Sequence, residues 1–280
     1  MAEFSAPASS ANLGPGFDVL ALALEIRCRA EAKPSEEWAA VSDGGGPDFL
    51  LEAAKRAVGA RRPLRVTVTS DIPLGRGLGS SAAVAAAVSA AAIGAIEGGF
   101  DPRRVFDIAA ELDGHPDNAA AAVYGGLVLC TASGGVERIP IHPGLHPVVA
   151  VPATTLDTKT ARAYLSESVD RRLAVRTMAR TAALVGGLFT ADPVLFAAAR
   201  GDEFHEAPRL ELSRLTGRLV DAALQAGAYH AGWSGAGPAV LALAAGEDTF
   251  KVGAAMAEVM KDGEVLTPAI ASEGLRVGLT

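Results

Sequence analysis

The stretch Pro73-Leu74-Gly75-Arg76-Gly77-Leu78-Gly79-Ser80-Ser81-Ala82-Ala83 constrains this chain more than any other. Its three glycines within five residues allow backbone conformations that a Cβ would forbid, and let the chain come close to a bulky group. Two hydroxyls and an Ala-rich run to Ile96 follow at once, the pattern of a loop turning into a helix. Backbone N–H groups at a helix start carry partial positive charge and form a ready anion site. By itself the loop leaves two readings open: a phosphate cradle, or a glycine turn ahead of a packing helix.

Two rival phosphate fingerprints fit less well. A P-loop needs Lys after its last glycine, and here Ser80 follows Gly79. Gly77, Gly79 and Ala82 match a dinucleotide fingerprint formally, with Glu97 at a suitable distance. Glu97, however, closes the Ala-rich run instead of ending a strand. Residues 71–76 also make too long a loop for that tight turn.

The 280 residues suffice for one large or two modest domains, and half of them are apolar. A net charge of −7 argues against nucleic acid or an anionic membrane as the main partner, while leaving room for a local basic pocket. Cys28 and Cys130 lie far apart in apolar, strand-like runs and read as buried free thiols of a reducing cytoplasm. The start, Met1-Ala2-Glu3-Phe4-Ser5, lacks the basic and apolar regions of a signal peptide. The Ala-dominated run from Ser80 reads as a buried helix and not as a membrane span.

Along the chain, strands are expected at residues 4–8, 19–30, 64–69, 127–131, 147–151, 239–244 and 275–279, where β-branched or continuously apolar runs occur. Helices are expected at 48–58, 80–96, 103–112, 119–122 and 248–261, and over most of 160–200 with breaks at Gly186-Gly187 and Asp192-Pro193. Further helical stretches run on to about residue 225. Asp101-Pro102 is a standard helix-start pair. Asp43-Gly44-Gly45-Gly46-Pro47 reads as a turn. Strands and helices without strict alternation predict an α+β chain with a joint near residues 140–150.

Four blocks in order then carry a resemblance. Residues 73–83 resemble the phosphate loop of the GHMP kinases, the superfamily of galactokinase, homoserine kinase, mevalonate kinase and phosphomevalonate kinase. Pro7-Ala8-Ser9-Ser10-Ala11-Asn12-Leu13-Gly14-Pro15-Gly16-Phe17-Asp18 resembles the first motif of that superfamily, in the form typical of its homoserine kinase branch. Gly114-His115-Pro116-Asp117-Asn118 with Tyr124-Gly125-Gly126 is similar to the same branch, and Gly232-Trp233-Ser234-Gly235-Ala236-Gly237-Pro238 resembles the third motif. The resemblance implies a two-domain fold: a ribosomal protein S5-like ATP-binding domain over 1–145 and a ferredoxin-like GHMP domain over 146–280. It also implies ATP-dependent phosphorylation of the side-chain hydroxyl of L-homoserine in a cytoplasmic enzyme on the route to threonine, with a homodimer among the assemblies it allows.

What the resemblance implies for individual residues follows. Pro73, Gly75, Arg76, Gly77, Leu78, Gly79, Ser80, Ser81, Ala82 and Gly235 would hold ATP. Asp113 with Ser80 or Ser81 would hold Mg²⁺. The family usually carries Glu at that place, and Asp113 is one methylene shorter, so direct and water-bridged coordination both stay open. Asn12, Asp18, His115, Asp117, Asn118, Thr158, Arg162 and Arg209 would place the acceptor, a carboxylate and an amide suiting its ammonium and hydroxyl, and two guanidinium forks its carboxylate. Asp117 is the nearest candidate for a general base, though loose phosphoryl transfer asks mainly for positioning and charge neutralisation.

Each position has an ordinary structural reading too: Asn12 and Asp18 as loop ties, the Asp113–Asn118 cluster as a capped helix junction, the arginines as surface residues. Leu165-Ser166 departs from the Leu-Pro usual in the family. A GHMP kinase for another small alcohol, such as threonine or a polyol phosphate, and a non-catalytic nucleotide sensor stand as alternatives.

Overall fold

The computed structural model describes residues 1–43 and 46–278. The Asp43–Pro47 turn and the end of the expected last strand therefore lie partly outside the described residues. The elements run β1 (Ala2–Ala11), β2 (Leu20–Pro34), β3 (Ala39–Ser42), α1 (Pro47–Val58), β4 (Leu64–Ser70), α2 (Ser80–Glu97), α3 (Pro102–Asp113), α4 (Pro116–Tyr124), β5 (Leu127–Cys130), β6 (Val136–Ile139) and β7 (His146–Pro152). They continue with α5 (Thr158–Ala163), α6 (Arg171–Thr190), α7 (Pro193–Ala199), α8 (Glu206–Arg209), α9 (Arg214–Gln225), β8 (His230–Trp233), β9 (Val240–Ala244), α10 (Thr249–Met260), β10 (Gly263–Leu266) and β11 (Arg276–Val277). The α+β expectation holds.

A seven-stranded sheet has the order β11-β1-β2-β4-β3, with β5 pairing β2 and β6 pairing β5. All its ladders are antiparallel except β3 with β4. Clean alternation in β4 buries Leu64, Val66 and Val68 on one face. The Ala-rich helix α2 lies against β1 and β2, and its small side chains let it sit close to the sheet with α1, α3 and α4 around it. Residues 82–93 of α2 are all buried. By length and composition α2 could cross a membrane, but here it is the core helix of the fold.

The second sheet, antiparallel in the order β10-β7-β9-β8, accounts for the continuous apolar runs at 147–151 and 240–244. Val148, Ala150, Val240 and Ala242 pack with Leu219 of α9 and Met256 of α10. Val149, Val151, Leu241 and Leu243 join the main core on the other face. A strand buried on both faces has no reason to alternate. β11 returns from the C-terminal part to pair with β1, closing the edge of the first sheet.

Several local expectations need correction. Gly186-Gly187 does not break α6, which runs through it; a Cβ on Gly187 would stand 3.0 Å from the Phe196 ring, so the glycines let α7 pack closely. The break lies earlier, between α5 and α6, and again at Asp192, which caps α7. Cys28 is buried as expected, whereas Cys130 is only half-buried; both are free. The short strands β3, β6 and β10 carry too few residues for a pattern to show.

Candidate active site

The glycine loop leaves β4 and ends at the first turn of α2. Gly75, Gly77 and Gly79 all take positive φ, at 64°, 81° and 63°. Two of them are also positions of close approach. A Cβ on Gly77 would stand 2.1 Å from the Ser234 carbonyl oxygen, and one on Gly79 1.9 Å from Ser9 Oγ. Gly79 caps α2 and offers no side chain to its first amides, so those N–H groups remain available to an anion. Ser80 Oγ is buried at this turn with no hydrogen-bond partner among the described residues.

The turn that follows β8, at 234–238, staples this loop. Ser234 Oγ donates to the Gly77 carbonyl at 2.7 Å, and the Ala239 amide donates to the Arg76 carbonyl at 3.1 Å. The Asn12–Asp18 loop is tied to the same turn: Asn12 Nδ2 donates to the Gly235 carbonyl at 2.9 Å, while its Oδ1 accepts from the Asp18 amide at 3.1 Å. Asn12 itself sits at φ 73°, held there by both bonds.

One cleft of about 280 Å³, near the lower end of ligand-pocket size, collects the rest. Its walls are Asn12, Phe17, Asp18, Pro73, Gly75, Gly77, Leu78, Gly79, Ser80, Ser81, Asp113, His115, Asp117, Asn118, Thr158, Arg162, Arg209, Gly235 and Ala236. Two of the residues expected to hold nucleotide are not in this wall. The Arg76 side chain turns the other way, donating to the carbonyls of Pro152 and Ala153 at 2.8 and 2.7 Å, and Ala82 is wholly buried in α2.

The acidic cluster sits between the glycine loop and the arginines. His115 Nδ1 lies 2.8 Å from the Asp113 carbonyl oxygen and 3.2 Å from Asp113 Oδ2; that contact raises the imidazole pKa. Asp117, 1% exposed, accepts the Asn118 amide at 2.8 Å, and burial pushes its carboxyl up to about 6. Asn118 Oδ1 accepts from Ser9 Oγ at 2.8 Å, which joins α4 to β1 beneath the loop.

Across the cleft, Arg162 forks onto Asp18 with bonds of 3.1 and 2.8 Å. Arg209 is 2% exposed, and burial lowers its pKa to about 10. Both guanidinium carbons lie over the Phe17 ring, at 5.4 and 5.5 Å. Thr158 and Arg162 stand four residues apart on α5, as their spacing predicts, and both face the cleft. Phe17 and Ala236 are wall residues that the sequence reading passed over. Phe17 stands between Gly16 and Asp18 inside a motif already singled out, and that position was the available signal.

A helix start open to an anion on one side, and carboxylates and guanidiniums on the other, fit a phosphotransferase-type site. Comparison with known proteins agrees with the fold. The GHMP kinases N terminal domain matches residues 48–126, and the GHMP kinases C terminal domain matches residues 187–262, together more than half of the chain. The class is that of the GHMP small-molecule kinases. A homoserine kinase from Moorella thermoacetica is 38% identical over 268 residues, covering 90% of each chain. One from Thermus thermophilus is 37% identical over 271 residues, covering 93% of each. The crystal structure of homoserine kinase from Cytophaga hutchinsonii superposes with a TM-score of 0.88 at 27% identity, covering 99% of this chain and 96% of that one. The chain belongs to the homoserine kinases of the GHMP superfamily.

Proposed function

We propose that this cleft transfers the γ-phosphoryl group of ATP to the side-chain hydroxyl of L-homoserine, giving O-phospho-L-homoserine and ADP. The observation that carries this reading is the single cleft that joins the uncapped start of α2 to Asp18, Arg162 and Arg209. One end suits phosphates, and the other suits an ammonium and a carboxylate borne on one carbon.

Ser80 and Ser81 with the amides of the glycine loop bind the β- and γ-phosphates. Asp18 takes the acceptor's ammonium, Arg162 and Arg209 its carboxylate, and Thr158 and Asn12 line the space between. That arrangement leaves the side-chain hydroxyl beside Asp117 and His115, facing the loop. Loose phosphoryl transfer needs this alignment more than covalent help. Asp117, with its pKa pushed up to about 6, accepts a hydrogen bond from the hydroxyl and takes its proton as the new ester bond forms. The bond from the γ-phosphorus to the β,γ-bridging oxygen breaks, and ADP leaves with that oxygen.

A magnesium ion fits the residues present: Ser80 Oγ is buried, unpartnered and on the cleft wall, and the Asp113 carboxylate lines the same wall. Mg²⁺ keeps most of its ligands as phosphate and water, so two protein oxygens suffice. Bound there, it would neutralise charge on the phosphates. A cytoplasmic reaction fits ATP as the donor.

A coupled assay of ADP release, run with homoserine, threonine, serine and mevalonate, tests the proposal. Turnover is expected with homoserine above the others. Release with mevalonate or threonine in its place would reassign the acceptor, and tight ATP binding without turnover on any would mark a sensor.

A further inference from the structure

Behind Arg209 lies a side chain that does not itself line the cleft but touches two of its wall residues. His205 is fully buried. Its Nε2 stands 2.8 Å from the Gly14 carbonyl oxygen, and its Nδ1 stands 3.0 Å from Arg209 Nη1. A guanidinium nitrogen has hydrogens to donate and no lone pair to accept with. Nδ1 must therefore accept, which puts the imidazole hydrogen on Nε2, where it is donated to Gly14. Of the three protonation states of histidine, one satisfies both contacts.

The surroundings fix that state. The His205 amide donates to Asp202 Oδ2 at 2.7 Å, anchoring the residue at its root. The Phe17 ring packs against the imidazole in a tilted arrangement at 5.0 Å between centroids, and the same ring lies under both Arg162 and Arg209. Burial holds the imidazole pKa well below its ordinary value, so the neutral form is present at neutral pH. The other bonds of Arg209, from Nε to the Ala161 carbonyl and from Nη1 to the Gly235 carbonyl, are each 3.3 Å long. The histidine contact is the shortest of the three.

We propose that His205 is a positioning residue for the acceptor: one neutral imidazole orients the Arg209 guanidinium and clamps the loop that carries Asn12 and Asp18. The groups that meet the ammonium and the carboxylate of the amino acid are thereby set at a fixed distance. This inference rests on the proposed function, in which Arg209 meets the acceptor's carboxylate.

Two substitutions separate the two bonds. In His205→Asn the amide oxygen falls where Nδ1 stands, so Arg209 keeps its acceptor while Gly14 loses its donor. In His205→Gln the amide nitrogen reaches the Nε2 place, so Gly14 keeps its donor while Arg209 loses its acceptor. H205Q is expected to raise the homoserine KM by about 10- to 100-fold, the range of one lost hydrogen bond to a charged group, with kcat and the ATP KM nearly unchanged. H205N should recover most of that loss. Inhibition by aminopropanol, which is homoserine without its carboxylate, should be equally strong in wild type and H205Q.

A homoserine KM untouched in folded H205Q would overturn the proposal. So would a joint shift of kcat and both KM values, or an equal weakening of aminopropanol, since a merely structural role gives those results. If neither variant folds, nitrogen NMR of the wild type labelled at histidine decides. Nδ1 unprotonated and Nε2 protonated, assigned through contacts to the Phe17 ring, is expected, and the opposite tautomer would overturn the proposal. Absence of turnover by the wild type would strike the proposed function instead, leaving the tautomer to be judged by NMR alone.

Discussion

Asp18 and Arg162 stand 144 residues apart in the chain and meet in two parallel N–H···O bonds of 3.1 and 2.8 Å. The two opposite charges that flank the proposed acceptor end of the cleft thus satisfy each other. A ligand with both an ammonium and a carboxylate would replace the pair charge for charge. A ligand with one of them would leave the other protein charge without its partner. Both side chains are about two-fifths exposed, so the pair adds little to stability.

Arg162→Gln should therefore raise the homoserine KM by about 10- to 100-fold, with thermal stability close to that of the wild type. Steady-state kinetics beside a melting curve checks both halves. An unchanged KM would remove Arg162 from the acceptor site, and a large loss of stability would show the pair to be structural.

Ser80 carries a buried hydroxyl without a partner among the described residues, and an unpaired polar group inside a fold is a cost unless a ligand satisfies it. Ser80→Ala is expected to lower kcat by roughly 100-fold, the scale of one lost charge-stabilising contact in a transition state. Stability should be equal to or slightly above that of the wild type. Kinetics and denaturant melts of the same preparation test this. Full activity would mean that the hydroxyl meets neither phosphate nor metal.

Gly77→Ala adds a methyl 2.1 Å from a backbone oxygen at a residue with φ 81°. Relieving that clash would shift the loop against the turn that follows β8, which the bond from Ser234 Oγ to the Gly77 carbonyl holds together. A destabilisation of about 2 kcal/mol or more is expected, from strain and lost bonding together, with ATP binding impaired as well. Nucleotide titration with a thermal melt measures both. A variant as stable as the wild type would show that the staple is soft.

His230 is buried, stacks on Phe196 at 6.0 Å, and has its pKa lowered to about 4, mainly by burial, with Arg200 adding a smaller push. The unfolded chain, with the ordinary value of 6.5, takes the proton first as pH falls. The stabilising effect of the neutral group is then complete above pH 6.5 and is lost on the way down to about pH 4. The stability of the wild type minus that of His230→Leu should rise by about 3 kcal/mol across that window and be level above it. A difference that stays flat with pH would contradict this.

The glycine loop and α2 were legible because their constraints are local: glycine permits the positive φ values, and alanine permits the close approach to the sheet. Resemblance to a kinase branch supplied what spacing could not, since Asp18, Asp117 and Arg209 come together only in the fold. Thr158 and Arg162, on one helix, kept the relation that their spacing predicts. Arg76 did not follow the loop around it, because two carbonyls at the end of β7 offer its guanidinium better partners than the cleft does. Phe17 and His205 went unread, as their roles depend on stacking and tautomer across segments far apart in sequence. Gly186-Gly187 misled for a related reason. Glycine at a helix crossing and glycine at a helix end look alike until the neighbouring helix is in place.

The central claim is that the acceptor atom is the side-chain hydroxyl of a zwitterionic amino acid. Phosphorus NMR of the products from ATP, Mg²⁺ and L-homoserine tests it most directly. The account predicts one phosphate monoester, coupled to the protons of the terminal methylene, formed in equal amount with ADP. Inorganic phosphate alone, or an acyl phosphate on the carboxylate, would contradict it.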